Sequence, residues 1–216
     1  MARNSSFTSP QNHLALYLAL GLIFLIISFL PFLGTEQQKN LLAEGSLFES
    51  LTVYLYIFCL ILIYVSWPLR KILSKWYFSA LILLFALREL DYDKAYFTHG
   101  VLKSRQYFSD LVGLPELLIS IGVLIFILAV LALIVLRERN NFIKGVIDFR
   151  QSQLAVLTSI ILVIVTKTID GMERKFGIDL LPSGERFALI VEEVGEMGIP
   201  IMFAIAILSW RNKNQT

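Results

Sequence analysis

Long runs of apolar residues constrain this chain more than any other feature of its sequence. The segment Leu111–Leu136 contains one charged residue, Glu116, and the segments Leu14–Leu33 and Leu47–Trp67 are about as apolar. A bilayer core of about 30 Å is crossed by about 20 helical residues, because an α-helix rises about 1.5 Å per residue. A helix also satisfies its own backbone polar groups, which lipid cannot do. These runs therefore predict transmembrane helices.

Three further segments are apolar over only part of their length: residues 76–97, 153–171 and 187–210. In the first of them, the uncharged part before Arg88 is about 18 Å long, so the helix is expected to continue through Asp91. The 56% of hydrophobic residues and the mean hydropathy of +0.71 are too high for an ordinary soluble domain. The sequence predicts an all-α integral membrane protein, a single domain over residues 1–216. Its short loops are expected to join about six transmembrane helices: residues 14–33, 47–67, 76–97, 111–136, 153–171 and 187–210.

The distribution of charge predicts that both termini are cytoplasmic. In that orientation the cytoplasmic loops and ends carry ten of the 19 basic residues but only two of the 17 acidic ones. Arg70 and Lys71 follow one predicted helix end on this side, and Arg137 follows another, as the positive-inside rule expects. Three tryptophans fall at the same predicted interface, as in an aromatic belt: Trp67, Trp76 and Trp210. The predicted location is a cell membrane, specifically a bacterial inner membrane.

Acidic residues are concentrated on the opposite, outer side, many of them within predicted helices. A charged side chain at the bilayer centre costs roughly 2.5–3.5 kcal/mol on insertion scales unless it faces protein or water. The three partly polar helices are therefore expected to pack with their outer halves facing inward, while residues 14–33 and 111–136 face lipid. Seven acids and two cations are predicted to line this pocket: Glu49, Glu89, Asp91, Asp170, Glu192, Glu193 and Glu196, with Arg88 and Lys167.

Three carboxylates of the last predicted helix share one face. At 100° per residue Glu196 projects between Glu192 and Glu193, so the three occupy an arc of about 100°. Pro200 and the two glycines that precede it are expected to loosen or kink this helix. Backbone carbonyls released in this way would be additional ligands beside the carboxylates.

Two functions and one structural role fit this composition. The first function is non-enzymatic: an outward-facing, acid-rich pocket that binds cations or protons in transport, channel activity or sensing. The second is a membrane-embedded enzyme acting on a lipid or isoprenoid phosphate, since carboxylates suit Mg²⁺, Mn²⁺ or Ca²⁺. Its candidate metal ligands are Glu89, Asp91, Asp170, Glu192, Glu193 and Glu196. Its candidate catalytic residues are Glu193, Glu196, Asp170, Arg88 and Lys167. The structural role is an ionic lock between helices.

Other site types are not indicated by the sequence. It contains no HExxH, GxSxG, CxxC or Walker-type motif, and His13 and His99 fall on opposite predicted sides of the membrane. The basic residues of the inner face are more typical of contact with anionic lipid than with nucleic acid. The expected partners are therefore the bilayer itself and a cation or lipid ligand.

One polar stretch carries a resemblance. Residues 88–98 read Arg-Glu-Leu-Asp-Tyr-Asp-Lys-Ala-Tyr-Phe-Thr and are followed by Lys103 and Tyr107. This stretch resembles one in a group of small bacterial multi-helix membrane proteins, and Lys167–Asp170 and Glu192–Glu196 are similar to that group's other polar segments. The resemblance extends from about Leu47 onward. It implies a polytopic membrane fold and brings no activity with it.

Overall fold

A computed structural model of the chain describes residues 13–42, 45, 47–176 and 184–212, with side-chain surroundings for all of these except 35, 39, 170–176, 184–186 and 211–212. Almost all of the described residues are helical, and no strand occurs among them. The helices are α1 (Leu14–Phe29), α2 (Thr35–Leu42), α3 (Leu47–Ser66), α4 (Leu69–Ser74), α5 (Trp76–Glu89), α6 (Tyr92–Tyr96), α7 (Arg105–Phe108), α8 (Leu114–Ile147), α9 (Gln151–Phe176) and α10 (Gly184–Asn212).

Four helical segments of the described chain are long and apolar enough to cross a membrane: Leu14–Phe32, Glu36–Ser66, Leu114–Ile147 and Gln151–Ile169. The prediction of an all-helical chain with helices suited to a bilayer is confirmed at this level. Each of the six predicted segments contains helical residues, and residues 76–97 contain two separate helices, α5 and α6.

The predicted helix over residues 76–97 is interrupted. α5 ends at Glu89, and Asp91 adopts a φ of 50°, in the left-handed region, before α6 begins at Tyr92. This conformation costs an L-residue about 1–2 kcal/mol, and Asp is among the residue types that tolerate it best. The expectation of one continuous helix through Asp91 is therefore wrong, because the polar residues there turn the chain out of the helix.

α8 is longer than its apolar segment. It continues past the predicted end at Leu136 to Ile147. The helix closes in a Schellman-type turn, in which Phe149 has a φ of 52° and the Arg150 N–H donates to the Gly145 carbonyl at 2.8 Å. The end of the hydropathy run marks where a helix leaves an apolar environment, whereas the end of the helix depends on local capping.

The described helices belong to two compact units. The first unit comprises Met1–Phe32 and Lys144–Thr216 and contains α1, α9 and α10; the second comprises Leu33–Ile143 and contains α2 to α7 and most of α8. The predicted polar residues are divided between them. Lys167 and the glutamates of α10 lie in the first unit, and the polar residues of α3 and α5 lie in the second.

In the first unit, α10 packs along α9 and against α1. Residues 194–200 of α10 are all buried, so this helix forms the core of the unit. α1 contributes a face with spacings of three and four residues, namely Leu16, Ala19 and Ile23. The fifth and sixth predicted helices pack together as expected, while the third predicted helix belongs to the second unit. α1 buries one face on α10 and leaves many of its apolar side chains exposed.

In the second unit, α3 packs on α5. The rings of Tyr56 and Phe85 stack with centroids 5.8 Å apart, and Tyr56 is fully buried. The buried residues of α3 recur at helical spacing: Phe48, Thr52, Val53, Tyr56, Cys59 and Ile63. α8 differs from both helices, because Val130 is its only buried large apolar residue while many of its leucines and isoleucines are exposed. An exposed apolar surface of this kind is typical of a helix that faces lipid.

Candidate functional site

Lys167 on α9 contacts two carboxylates on α10. Its Nζ lies 2.9 Å from Oε1 of Glu196 and 3.3 Å from Oε1 of Glu192. These glutamates are four residues apart, about one helical turn, so both side chains lie on the face of α10 that meets α9. We call Lys167, Glu192 and Glu196 the Lys167 cluster.

Exposure changes steadily across the Lys167 cluster. The side chains of Glu196, Glu192 and Lys167 are 11%, 21% and 43% exposed, respectively. The flexible stem of a lysine allows its ammonium to reach from a helix surface towards a buried anion. The cluster therefore places a buried carboxylate beneath an ammonium on the more exposed side.

Two glycines bring α10 close to its neighbours. A Cβ atom at Gly195 would lie 2.5 Å from Cγ2 of Thr166, and one at Gly198 would lie 2.9 Å from Cδ1 of Ile23 and 3.0 Å from Cδ1 of Leu162. Small residues at helix crossings allow backbones to approach in this way. Both glycines thus allow close packing of α10 against α9 and α1, a role that the sequence did not indicate. The contacts also advance in opposite directions along α9 and α10, so the two helices are antiparallel.

Pro200 lies inside α10, which continues to Asn212 as one helix. Proline has no N–H, so it cannot donate the helical hydrogen bond to the carbonyl of Glu196 four residues earlier. α10 is continuous through Pro200, and the missing proline N–H falls opposite the backbone carbonyl of the buried Glu196.

The hydroxyl groups of α9 bond within their own helix. Four of them donate to carbonyls three or four residues earlier: Thr158 to Leu154, Ser159 to Val156, Thr166 to Val163 and Thr168 to Ile164. This back-bonding is the usual way in which a helix accommodates serine and threonine in an apolar setting. These groups consequently satisfy the helix itself instead of extending the Lys167 cluster along α9.

The polar residues of α5 form local pairs in the second unit. Glu89 is buried, 8% exposed, and its Oε1 lies 3.0 Å from Nη2 of the adjacent Arg88. Asp91 pairs with Lys94 at 3.0 Å, and both of these side chains are exposed. The sequence placed Arg88 and Asp91 on one helical face, but α5 ends before Asp91, whose backbone is left-handed.

The remaining predicted site residues have individual settings. Glu49, near the start of α3, accepts a hydrogen bond from the Gly45 N–H at 2.5 Å. Glu193 is half-buried next to Glu192. Asp170 lies on α9, with its side chain outside the described residues. The structure thus brings Lys167, Glu192 and Glu196 together in one unit, and Glu49 and the α5 residues belong to the other.

A polar network that sequence reasoning missed connects the α6–α8 region. Glu116, in the first turn of α8, accepts hydrogen bonds from the Thr98 N–H at 2.7 Å, the Thr98 hydroxyl at 3.1 Å and the Gln106 amide at 2.8 Å. Gln106 is fully buried and also donates to the Ser120 hydroxyl at 3.0 Å. The available signal was an acid at a helix start, where the helix dipole favours negative charge. This network fastens the loop to α8.

A second lysine–glutamate pair joins α8 to the start of α5. Oε1 of Glu138 lies 2.6 Å from Nζ of Lys75 and accepts a hydrogen bond from the Tyr77 hydroxyl, also at 2.6 Å. The side chains of Lys75 and Glu138 are 22% and 13% exposed. We call these three residues the Glu138 cluster. Lys75 and Glu138 are 63 positions apart in the chain, and the sequence did not indicate that they pair.

No group of three or more His, Cys, Asp or Glu side chains within the described chain is arranged to hold a metal ion. Comparisons with protein-family models, with curated proteins and with solved structures find no match to this chain. The chemistry of the two clusters is therefore the basis for inferring function.

Proposed function

We propose that this chain is a multi-pass membrane protein that binds an exchangeable cation or a proton at the Lys167 cluster. The observation that carries the proposal is that one ammonium contacts two carboxylates, one of them buried. Ionisable groups within membrane helices commonly mark ion or proton sites, because their burial is costly and they are retained mainly where function requires them.

The shared ammonium explains how exchange would proceed. Lys167 acts as a tethered cation that occupies the space between Glu192 and Glu196. If one carboxylate takes up a proton, the other still forms an ion pair with Lys167. If the lysine side chain moves towards its exposed side, a cation from solution can contact both carboxylates in its place. Either event changes the charge in the cluster without leaving a lone buried ion, which would be expensive.

The type and number of ligands indicate the kind of cation that would bind. Glu192 and Glu196 are oxygen ligands, which favour hard ions such as Na⁺, Mg²⁺ or Ca²⁺. Two carboxylates complete only part of a coordination shell of six or more, so the bound ion would retain water. A hydrated and weakly held ion suits sensing or transport better than a permanent structural role.

We further place the cluster in the outer half of a six-helix protein of the bacterial inner membrane, with both termini cytoplasmic. The placement is supported by basic residues at the opposite ends of the same helices, namely Arg150 before α9 and Arg211 near the end of α10. A cysteine replacing His99 should react with an impermeant thiol reagent outside intact cells, and one replacing Asn140 should not. The reverse labelling pattern would contradict this orientation.

The experiment that tests cation exchange removes the tethered competitor. Lys167→Met should lower the thermal unfolding midpoint in buffer without small inorganic cations, because two carboxylates lose their ammonium. Added Na⁺, Mg²⁺ or Ca²⁺ should then restore the midpoint, and the response should exceed that of the unmodified protein. A ligand at one hundred times its Kd stabilises the folded state by about 2.7 kcal/mol. Ionic strength is held constant with choline chloride.

Two variants serve as controls for this titration. Lys75→Met removes the ammonium from a single carboxylate, so the same cations should not restore its midpoint. Adding Glu196→Gln to Lys167→Met should abolish the cation response, because one of the two oxygen donors loses its charge. If Lys167→Met responds neither to these cations nor to a change of pH between about 5 and 8, the site is an ionic lock and the proposal fails.

A further inference from the structure

Two cations near the α3–α5 connection lie over aromatic rings. Nζ of Lys71 is 4.2 Å from the ring centroid of Trp67, and Cζ of Arg137 is 5.9 Å from that of Tyr77. Such contacts are attractive, because the face of an aromatic ring carries negative charge density. The rings therefore hold two positively charged groups at defined positions on the surface of the second unit.

The Glu138 cluster neighbours both of these cations. Glu138 binds Lys75 directly, while Tyr77, beneath Arg137, donates to the same carboxylate. The pKa of Lys71 is lowered, first by burial and then by the positive charge of Lys75, while Glu138 opposes the shift. Lys71, Lys75 and Arg137 are thus close to one carboxylate. Three cations and one anion make this a positively charged surface.

An exposed apolar face adjoins the charges. α4 begins after Pro68, and its residues Leu69 and Leu73 are 67% and 66% exposed, while Ile72 is buried. Leu69 and Leu73 are four residues apart and share one face of the helix. Trp76 is 41% exposed and stacks on Phe126 with centroids 6.2 Å apart. Exposed leucines, a tryptophan and basic residues together are typical of a helix that lies at a membrane interface.

We propose that this surface binds an anionic phospholipid, with the lipid phosphate beside Lys71 and Arg137 and an acyl chain along Leu69 and Leu73. Arginine and lysine are the residues that proteins use to bind phosphate. The neighbouring apolar face distinguishes a lipid from a soluble anion, because only an amphiphile satisfies both parts of the surface. This site is separate from the Lys167 cluster and does not depend on the proposed cation function.

The test compares lipids on the purified full-length protein. The protein is placed in mixed micelles containing either phosphatidylcholine alone or phosphatidylcholine with phosphatidylglycerol. Retained lipid is counted by native mass spectrometry, and the thermal unfolding midpoint is recorded in parallel. Phosphatidylglycerol should be retained preferentially and should raise the midpoint. Arg137→Gln and Lys71→Gln should each weaken its retention about fivefold, as expected for one basic residue near an anionic headgroup.

Arg139→Gln is the matched control, because it removes the same charge from an exposed position two residues along α8. It should retain phosphatidylglycerol as the unmodified protein does. Equal losses in Arg137→Gln and Arg139→Gln would show general charge attraction and overturn the proposal. Inorganic phosphate that raises the midpoint as much as phosphatidylglycerol does would overturn the choice of a lipid.

Two further variants keep the result interpretable. If Lys71→Gln does not fold, the test relies on Arg137 alone. Arg137→Lys keeps the positive charge and should therefore recover part of the phosphatidylglycerol retention that Arg137→Gln loses. Glu196→Gln should preserve the phosphatidylglycerol response completely, so that failure of the cation site and failure of the lipid site are observed separately. Loss of retention in Glu196→Gln would contradict a distinct lipid site.

Discussion

The Glu138 cluster and the Lys167 cluster use the same chemical groups in different proportions. In the second unit, one carboxylate, that of Glu138, receives both an ammonium and a phenol hydroxyl. In the first unit, the single ammonium of Lys167 contacts both Glu192 and Glu196. In the Glu138 cluster two donors converge on one acceptor, and in the Lys167 cluster two acceptors converge on one donor.

This difference indicates how two similar ion pairs can serve different purposes. Movement of a carboxylate that receives two donors weakens both contacts, so the Glu138 cluster resists change and fastens α8 to α5. An ammonium between two carboxylates keeps one partner when the other is protonated or binds a cation. The Lys167 cluster is thereby suited to exchange, and the Glu138 cluster to holding helices together.

The largest expected effect is that of removing Lys75. Lys75→Met takes the cation from a largely buried carboxylate and should lower the free energy of unfolding by about 3 kcal/mol, the low end for a broken buried pair. The double variant Lys75→Met, Glu138→Met should recover most of this loss, because no lone charge remains. Denaturant unfolding in detergent micelles measures both variants. A loss below about 1 kcal/mol would show that this pair is no stronger than an exposed one.

A smaller effect is expected from the packing that positions the Lys167 cluster. Gly195→Ala should cost about 1–3 kcal/mol, because its Cβ would overlap with Cγ2 of Thr166. Thr166→Ser deletes that methyl group, so the double variant should recover part of the loss, as the same unfolding assay would measure. If Gly195→Ala is neutral by itself, close approach of α9 and α10 does not determine the geometry of the cluster.

The smallest effect is expected at an exposed pair, which calibrates the other two. Lys94→Gln removes the partner of Asp91, and both side chains are exposed. The free energy of unfolding should change by no more than about 0.5 kcal/mol, because water screens such a pair. A cost comparable to that of Lys75→Met would mean that burial does not account for the strength of the Glu138 cluster.

Much of the fold followed from local properties of the sequence. Hydropathy located the segments that became α1, α3, α8 and α9, and the helical period placed Glu192 and Glu196 on one face of α10. These results depend on residues within one helix, where spacing alone determines direction. The break at Asp91 was not predicted, because a residue that tolerates a left-handed conformation does not require it.

The sequence by itself determined that the chain is helical, that its helices suit a bilayer, and that several of its acids lie within helical segments. The tertiary structure alone decided that Lys167 is shared by Glu192 and Glu196, that Lys75 binds Glu138, and that Gly195 packs against Thr166. The physical reason is that hydropathy and periodicity act along one helix. Ion pairs and close packing join residues far apart in the chain, and they depend on which helix faces meet.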